Sequence, residues 1–252
     1  KNEFLIYQKH ARMEVMNLPI FYTPYSINPS PLRRIRRSGF LYPTIIPFNS
    51  TMGFSAKLPY YVNVSEDKEL LITPTFYKDT QNIKYLYNQK TAGGAITANV
   101  ATVTDFSDSK GFEWLKDASL NLNVTNNINE KFTSGLNANL QTKGSYFRQY
   151  ETNSPINYFS SLSTSAYLDG YSVFSDEDLL TVETYNFQAV KTDINSKKIP
   201  IVSPVVNYSF KNIKIFDQLN LQNNFLFYHI FRDKNTKDHA YRQTRLNYDA
   251  NL

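Results

Sequence analysis

Few side chains in this sequence stand where bond-making chemistry could be done. The three histidines, His10, His229 and His239, lack metal-ligand spacing, and His229 lies among Phe225, Phe227, Tyr228 and Phe231, which suits a lumen or interfacial-girdle position. There is no cysteine, so disulfides and thiol chemistry within the segment are excluded. No G-x-S-x-G elbow occurs, and Gly93–Gly94 is not followed by the Lys-Ser/Thr of a phosphate loop. The acidic run Asp176, Glu177, Asp178 fits either an exposed loop or a divalent cation bridging lipid. Trp114 reads as an interface or core anchor. These residues point away from an enzyme.

What the sequence does carry is charge. Arg33, Arg34, Arg36 and Arg37 surround Ile35, and guanidinium groups bind phosphate oxygens through paired, charge-assisted hydrogen bonds. The same run could be a solvated linker that keeps a strand edge from aggregating. A net charge of +5 permits anionic partners, whether lipid phosphates, anionic lipid or nucleic acid. Nucleic acid fits least, because the aromatic residues alternate along strands and form no single-strand-binding signature. Pro43 and Pro59 are the other unusual residues. Each falls inside a predicted strand, where proline deletes a ladder N–H and weakens pairing. That is consistent with a bulge or edge position, or with a seam meant to open.

The elements that would hold these residues are strands. Helix signals are poor, and period-2 alternation recurs. Leu120, Leu122 and Val124 alternate with Asn121, Asn123 and Thr125; Leu136, Ala138 and Leu140 with Asn137, Asn139 and Gln141; Val206, Tyr208 and Phe210 flank Asn207 and Ser209. Turn residues at 49–53, 65–68, 78–81, 92–94, 108–111 and 125–130, and longer polar stretches at 149–157, 192–198 and 233–238, divide the pattern into about twelve strands. They run over 38–48, 51–62, 68–78, 81–90, 94–105, 113–125, 130–143, 157–169, 178–190, 200–212, 216–232 and 240–252. Short turns on one side and longer loops on the other suit a barrel meander. No apolar run is long enough for a membrane helix, but a barrel's strands escape that test. Mean hydropathy of −0.45, with 19 Tyr and 18 Phe against one Trp, suits a barrel with aromatic girdles. A soluble β-sandwich has the same alternation, its apolar face meeting a second sheet. Over the first residues, Phe4–Tyr7 and Arg12–Met16 read as short strands, and Pro19, Pro24, Pro29 and Pro31 as a strand exit and linker. Starting at Lys1 and ending inside an alternating pattern, the chain reads as a segment of a longer protein, whose unpaired edges would drive aggregation in isolation.

Four pieces, in order, resemble one family. They are Pro19, Phe21, Tyr22, Pro24 and Tyr25 (P-x-F-Y-x-P-Y); Arg36 or Arg37 with Ser38, Gly39, Phe40, Leu41, Tyr42 and Pro43 (R-x-S-G-F-L-Y-P); Leu58, Pro59, Tyr60 and Tyr61 (L-P-Y-Y); and Ile72 to Tyr77 (I-T-P-T-F-Y). This pattern is similar to the outer-membrane lipopolysaccharide-assembly family, LptD (OstA). The likeness is strongest over 11–78 and loose after 100, where Ser145–Tyr150 and Ile199–Phe210 continue it.

The resemblance implies an all-β fold: residues 1–32 as the end and linker of a periplasmic β-jelly-roll, and 33–252 as the first part of an antiparallel outer-membrane β-barrel. It implies transport of lipopolysaccharide into the outer leaflet, without enzymatic chemistry or a cofactor. Pro43 and Pro59 would form a lateral gate, with Phe40, Tyr42, Tyr60 and Tyr61 along the lipid's path and Arg33, Arg34, Arg36 and Arg37 near its phosphates. Implied partners are outer-membrane lipid, an LptE-like lipoprotein plug and an LptA-like periplasmic bridge. The family's disulfides cannot form within this segment. A general porin and a soluble carbohydrate-binding β-sandwich are the competing readings.

Overall fold

A computed structural model describes residues 5–29, 36–47, 52–107, 111–143, 146–151, 154–190, 199–216, 219–232 and 242–251. The first two strands, β1 (Leu5–Val15) and β2 (Leu18–Pro29), form a hairpin of their own. Its two-residue turn places both Met16 and Asn17 at positive φ, 51° and 64°, the backbone twist that matches antiparallel strands. This corrects the reading of the proline-rich stretch as a linker and of two short strands before it. In a two-stranded sheet every strand is an edge, so a proline whose missing N–H would point outward costs no ladder bond. Pro19 sits beside the register shift at Met13/Glu14.

The remaining strands make one antiparallel sheet of fourteen segments. They are β3 (Gly39–Phe40), β4 (Thr44–Ile46), β5 (Ser55–Lys57), β6 (Tyr60–Ser65), β7 (Lys68–Phe76), β8 (Thr80–Thr91), β9 (Gly94–Asp105), β10 (Glu113–Asn127), β11 (Phe132–Gln141), β12 (Ser161–Tyr171), β13 (Leu179–Ala189), β14 (Ile201–Phe216), β15 (Leu219–Phe231) and β16 (Arg242–Asn251). From β7 onward each strand pairs with its sequence neighbours. Among the described residues β4 and β16 do not pair, so the sheet is open and barrel-like rather than closed.

The pleat sorts the side chains. Asn99, Asn121 and Asn139 lie in register on one face, as do Thr97, Asn123 and Asn137. The opposite face takes Ile96, Ala98, Val100, Leu120, Leu122, Val124, Leu136 and Ala138. The only other sheet among the described residues is the β1–β2 hairpin, too small to cover that apolar face. The sandwich expectation, an apolar face packed on a second sheet, is therefore unmet here.

The buried hydrophobic cluster lies on the polar face. The connection from β11 to β12 turns back over the sheet through a short helix, α1 (Tyr146–Tyr150), and a 3₁₀ turn (Pro155–Tyr158) capped by Ser154. Tyr146, Phe147 and Tyr150 pack with Ala101, Val103, Leu162 and Val190, and Met52, Tyr77 and Ile156 flank them. The Tyr146 hydroxyl donates to Glu151 Oε1 (3.3 Å) and receives a bond from Asn82 Nδ2 (3.4 Å); Lys84 Nζ lies 2.9 Å from Glu151 Oε1. The helix was not anticipated from sequence, although Tyr146, Phe147 and Tyr150 have the one-turn spacing of a helical face. It delays the next strand, expected from residue 157, to Ser161.

Burial, with the neighbouring Asp117 and Asp105 carboxylates, pushes the Tyr150 hydroxyl up to about 12 from its ordinary value of 10.0. That hydroxyl is buried with no hydrogen-bond partner among the described residues. A raised phenol keeps its proton longer folded than unfolded. Its contribution to stability is whole below the unfolded value and is lost as pH climbs from there toward about 12. Tyr150→Phe should leave the 142–160 connection at least as protease-resistant as wild type at pH 8, with a larger advantage at pH 11. A variant weaker at pH 8 would show that the hydroxyl is hydrogen-bonded after all.

Candidate functional site at the first two strands

The strands expected over 38–48 and 51–62 are both interrupted, and the interruptions face each other. The first splits into β3 and β4 around Leu41, Tyr42 and Pro43; the second splits into β5 and β6 around Leu58 and Pro59. β3 pairs with β6 (Gly39↔Tyr61, Phe40↔Tyr60) and β4 with β5 (Thr44↔Lys57 to Ile46↔Ser55). Between the pairs Phe40↔Tyr60 and Thr44↔Lys57, three residues (Leu41, Tyr42, Pro43) oppose two (Leu58, Pro59), so the first strand bulges there.

Within the gap the backbone bonds are one-sided. Leu41 N–H donates to the Pro59 carbonyl (2.9 Å), and Leu58 N–H donates to the Pro74 carbonyl (3.1 Å). In an antiparallel ladder a residue's N–H and C=O point to the same neighbour, so such a pair ordinarily exchanges two bonds. Pro59 and Pro74 have no N–H to return. Each half-pair forgoes about 1 kcal/mol of backbone pairing. By contrast β12 and β13 pair without interruption from Ser161↔Ala189 to Tyr171↔Leu179.

The start of β3 is fastened by side chains instead. Asn63 donates its backbone N–H to Ser38 Oγ (2.8 Å) and its amide to the Arg36 carbonyl (3.0 Å). Arg36 Nη1 reaches Glu69 Oε2 at 2.8 Å, the Tyr61 hydroxyl donates to the same oxygen (3.0 Å), and Asn88 Nδ2 donates to Oε1 (3.1 Å). One carboxylate thus gathers groups from the first four strand passages. Arg37 is half-buried; Arg33 and Arg34 lie outside the described residues.

The aromatic residues divide. Phe40 and Tyr60 meet edge to face, centroids 4.8 Å apart, on the apolar side; Tyr42 is 87% exposed. Tyr61, one residue on from Tyr60, turns to the polar side and joins the Glu69 network. Pro43 and Pro59 sit in the facing gaps.

Other sequence candidates fall elsewhere. Asp178 is fully buried, its carboxylate accepting from the backbone N–H groups of Val173 (2.6 Å), Phe174 (2.9 Å) and Ser175 (3.0 Å) and from the Tyr208 hydroxyl (2.9 Å). Burial works against its charge, but those donors prevail and hold it below the ordinary carboxylate range. It pins a turn; Asp176 and Glu177 are exposed, and no group of three metal-ligating side chains exists among the described residues. His229 Nδ1 bonds Thr244 Oγ1 (2.8 Å) on the apolar face beside Phe231. His10 bonds Tyr22 in the hairpin, and His239 lies outside the described residues. Trp114 is 79% exposed and stacks edge to face with Phe112, so it is no core anchor. Sequence reasoning missed Pro74 as a seam residue, although it stood in the I-T-P-T-F-Y run, and missed Glu69, which no local pattern marks.

No protein-family model matches the chain. It is similar to proteins named LPS-assembly protein LptD: 49% identical over 57 residues to that of Burkholderia pseudomallei (23% of this chain, 7% of that protein), and 34% over 85 residues to that of Idiomarina loihiensis (32% and 11%). Against that of Vibrio cholerae the identity is 27% over 221 residues, covering 83% of this chain and 26% of that protein. The likeness read from the motifs therefore holds, and the chain is LptD-like. It spans about a quarter or less of the length of these curated relatives.

Removing the Glu69 carboxylate should release the start of β3. In Glu69→Ala, trypsin should cleave after Arg36 or Arg37 faster than in wild type, while cleavage within β10–β13 stays unchanged. Equal rates at the arginines would mean that Asn63 and Ser38 suffice to hold the strand.

Proposed function

We propose that this LptD-like chain joins a periplasmic β-jelly-roll to an outer-membrane barrel, and that the barrel delivers lipopolysaccharide to the outer leaflet through a lateral opening at its first strand. Residues 1–32 are the end of the jelly-roll, with the β1–β2 hairpin as its last strands, and 33–252 are the first part of the barrel. The uncovered apolar face meets lipid, and the polar face lines a wet lumen. The observation that carries this reading is the pair of facing strand interruptions with one-sided bonds at Pro59 and Pro74.

The mechanism needs no bond chemistry. A glycolipid with apolar chains and a bulky sugar head must keep the two in different solvents while it moves. A seam that separates at low cost lets the chains leave into the bilayer while the sugar remains in the lumen. Phe40, Tyr42 and Tyr60 border the apolar side of that seam, and Tyr61 faces the lumen. Arg36 and Arg37 stand at the short-turn end, where lipid phosphates would arrive, and Arg33 and Arg34 precede them in sequence. An LptA-like bridge supplies the lipid and an LptE-like lipoprotein occupies the lumen. A general porin shares the alternation but has no use for a weakened first seam.

A photoreactive residue at Phe40 or Tyr42 of the full-length protein should form adducts with lipopolysaccharide in cells, and only while transport is active. Membrane-inserted protein with no adduct at either position overturns the lateral-gate reading. Pro59→Ala should return the donor that faces the Leu41 carbonyl, strengthening the seam by about 1 kcal/mol, and Pro43→Ala beside it should relieve the bulge. Surface lipopolysaccharide should then fall, measured against an unchanged protein level.

A further inference from the structure

The middle of the polar face has a chemistry of its own. Two neighbouring rungs cross β9 to β13 without a charged side chain. One holds Asn99, Asn121, Asn139, Ser163 and Phe187; the other holds Thr97, Asn123, Asn137, Ser165 and Tyr185. The amides are tied across the strands. Asn121 Nδ2 donates to Asn139 Oδ1, Asn123 Nδ2 to Asn137 Oδ1 (2.7 Å), and Asn139 Nδ2 to the Ser163 carbonyl (3.2 Å). Each paired amide has a second N–H and a second lone pair, so the row offers fixed donors and acceptors side by side. Asn121, Asn123 and Ser163 are exposed.

The strip ends in flat rings. Tyr185 and Phe187 lie nearly parallel, 8° apart with centroids 6.3 Å from each other. Tyr167, next along β12 on the same face, lies across Gly135: a Cβ there would meet its ring at 2.3 Å. Gly135 thus lets an aromatic plane rest flat on the sheet. The strip begins where the α1 cover over Ala101 and Val103 ends.

We infer that this strip is a binding track for the neutral part of a glycan. Sugar hydroxyls pair with fixed amides, each acting as donor and acceptor at once. The C–H faces of a pyranose carry slight positive charge and settle on the negative face of an aromatic ring. Four strand spacings give the strip a length of roughly 19 Å, room for several sugar units. Neither rung carries a cation, and Tyr185 hydrogen-bonds the Glu183 carboxylate on the next rung of the same face, so a phosphate-bearing segment is disfavoured; the cations Arg36 and Lys84 lie to one side of the strip. The inference deepens the lumen reading above, since it names the residues that hold the sugar, but it concerns binding and not the gate.

The test uses the full-length protein in nanodiscs. The probe is the glycan released from lipopolysaccharide by mild acid and then dephosphorylated, with binding followed by saturation-transfer NMR. Wild type should bind it. Tyr185→Ala with Phe187→Ala should weaken binding roughly tenfold. Asn123→Ala with Asn137→Ala should weaken it as well. Phe187→Leu, which keeps apolar volume and removes the flat face, and Gly135→Ala, which displaces the Tyr167 ring, serve where the double variants fail to fold. Unchanged affinity in folded variants, or binding that disappears on dephosphorylation, overturns the track. Glycan binding without lipopolysaccharide adducts at Phe40 or Tyr42 would sink the gate and leave the track standing; adducts without glycan binding would do the reverse.

Discussion

Backbone pairing, more than a side-chain core, holds this sheet together. Few hydrophobic residues are fully buried, and most of those sit under α1 at one end of the polar face. Elsewhere the apolar side chains stand on a face that no described element covers. A sheet of this kind depends on its N–H···O=C ladder, because an unpaired backbone group in an apolar medium costs several kcal/mol. Where the ladder is complete the sheet is fixed; where prolines remove donors it is not.

That constraint gives the first strands their character. β3 and β4 contribute only short runs of pairs; the bond bridging their gap runs one way, from Leu41 to Pro59, and so does the bond from Leu58 to Pro74 that ties the second passage to β7. The side-chain network around Glu69 compensates at one end only. It ties Arg36, Tyr61 and Asn88 to one carboxylate, while Asn63 holds Ser38. The first strand is therefore anchored where it enters the sheet and loosened along its middle. Such a strand can swing without detaching. Lys84–Glu151 and the Tyr146 contacts, farther along the same face, fasten the connecting segment rather than the seam.

Much of this architecture was legible in the residues. Alternation in β10 and β11 assigns Asn and Leu to opposite faces because the side-chain period of a strand is two, and the register keeps that assignment across the pair. The positions of Pro43 and Pro59 were visible for the same reason that they matter: proline is the one residue that cannot donate. The structure adds that the strands break there. The proline-rich β2 misled, since proline is tolerated in a hairpin whose outer edges are free. Glu69 and Asp178 were not legible as network centres. A carboxylate's partners come from strands and turns tens of residues away, and nothing local marks which acidic residue will face them. The helix at Tyr146–Tyr150 was lost because one turn gives little periodic signal.

The polar face shows a division that neither composition nor net charge could reveal. Arg36, Glu69 and Lys84 set charge on the first four passages, while the middle rungs of the next five carry amides, hydroxyls and rings, with Lys116–Asp105 and Asp117 beyond them at one end and Glu183 at the other. The chain's overall +5 is silent on this, because a sum has no positions. A surface that must handle a molecule with both phosphates and neutral sugars gains from such separation. Fixed cations beside the neutral strip would hold the phosphates there and slow their departure, whereas amides bind each sugar unit weakly and release it to the next. Many weak, equivalent contacts along a row favour passage over capture. The two regions also lie at different distances from the loosened seam: the charges border it, and the amides stand away from it. Movement of the first strand would thus disturb the grip on the charged end of a ligand first and leave its neutral end in register.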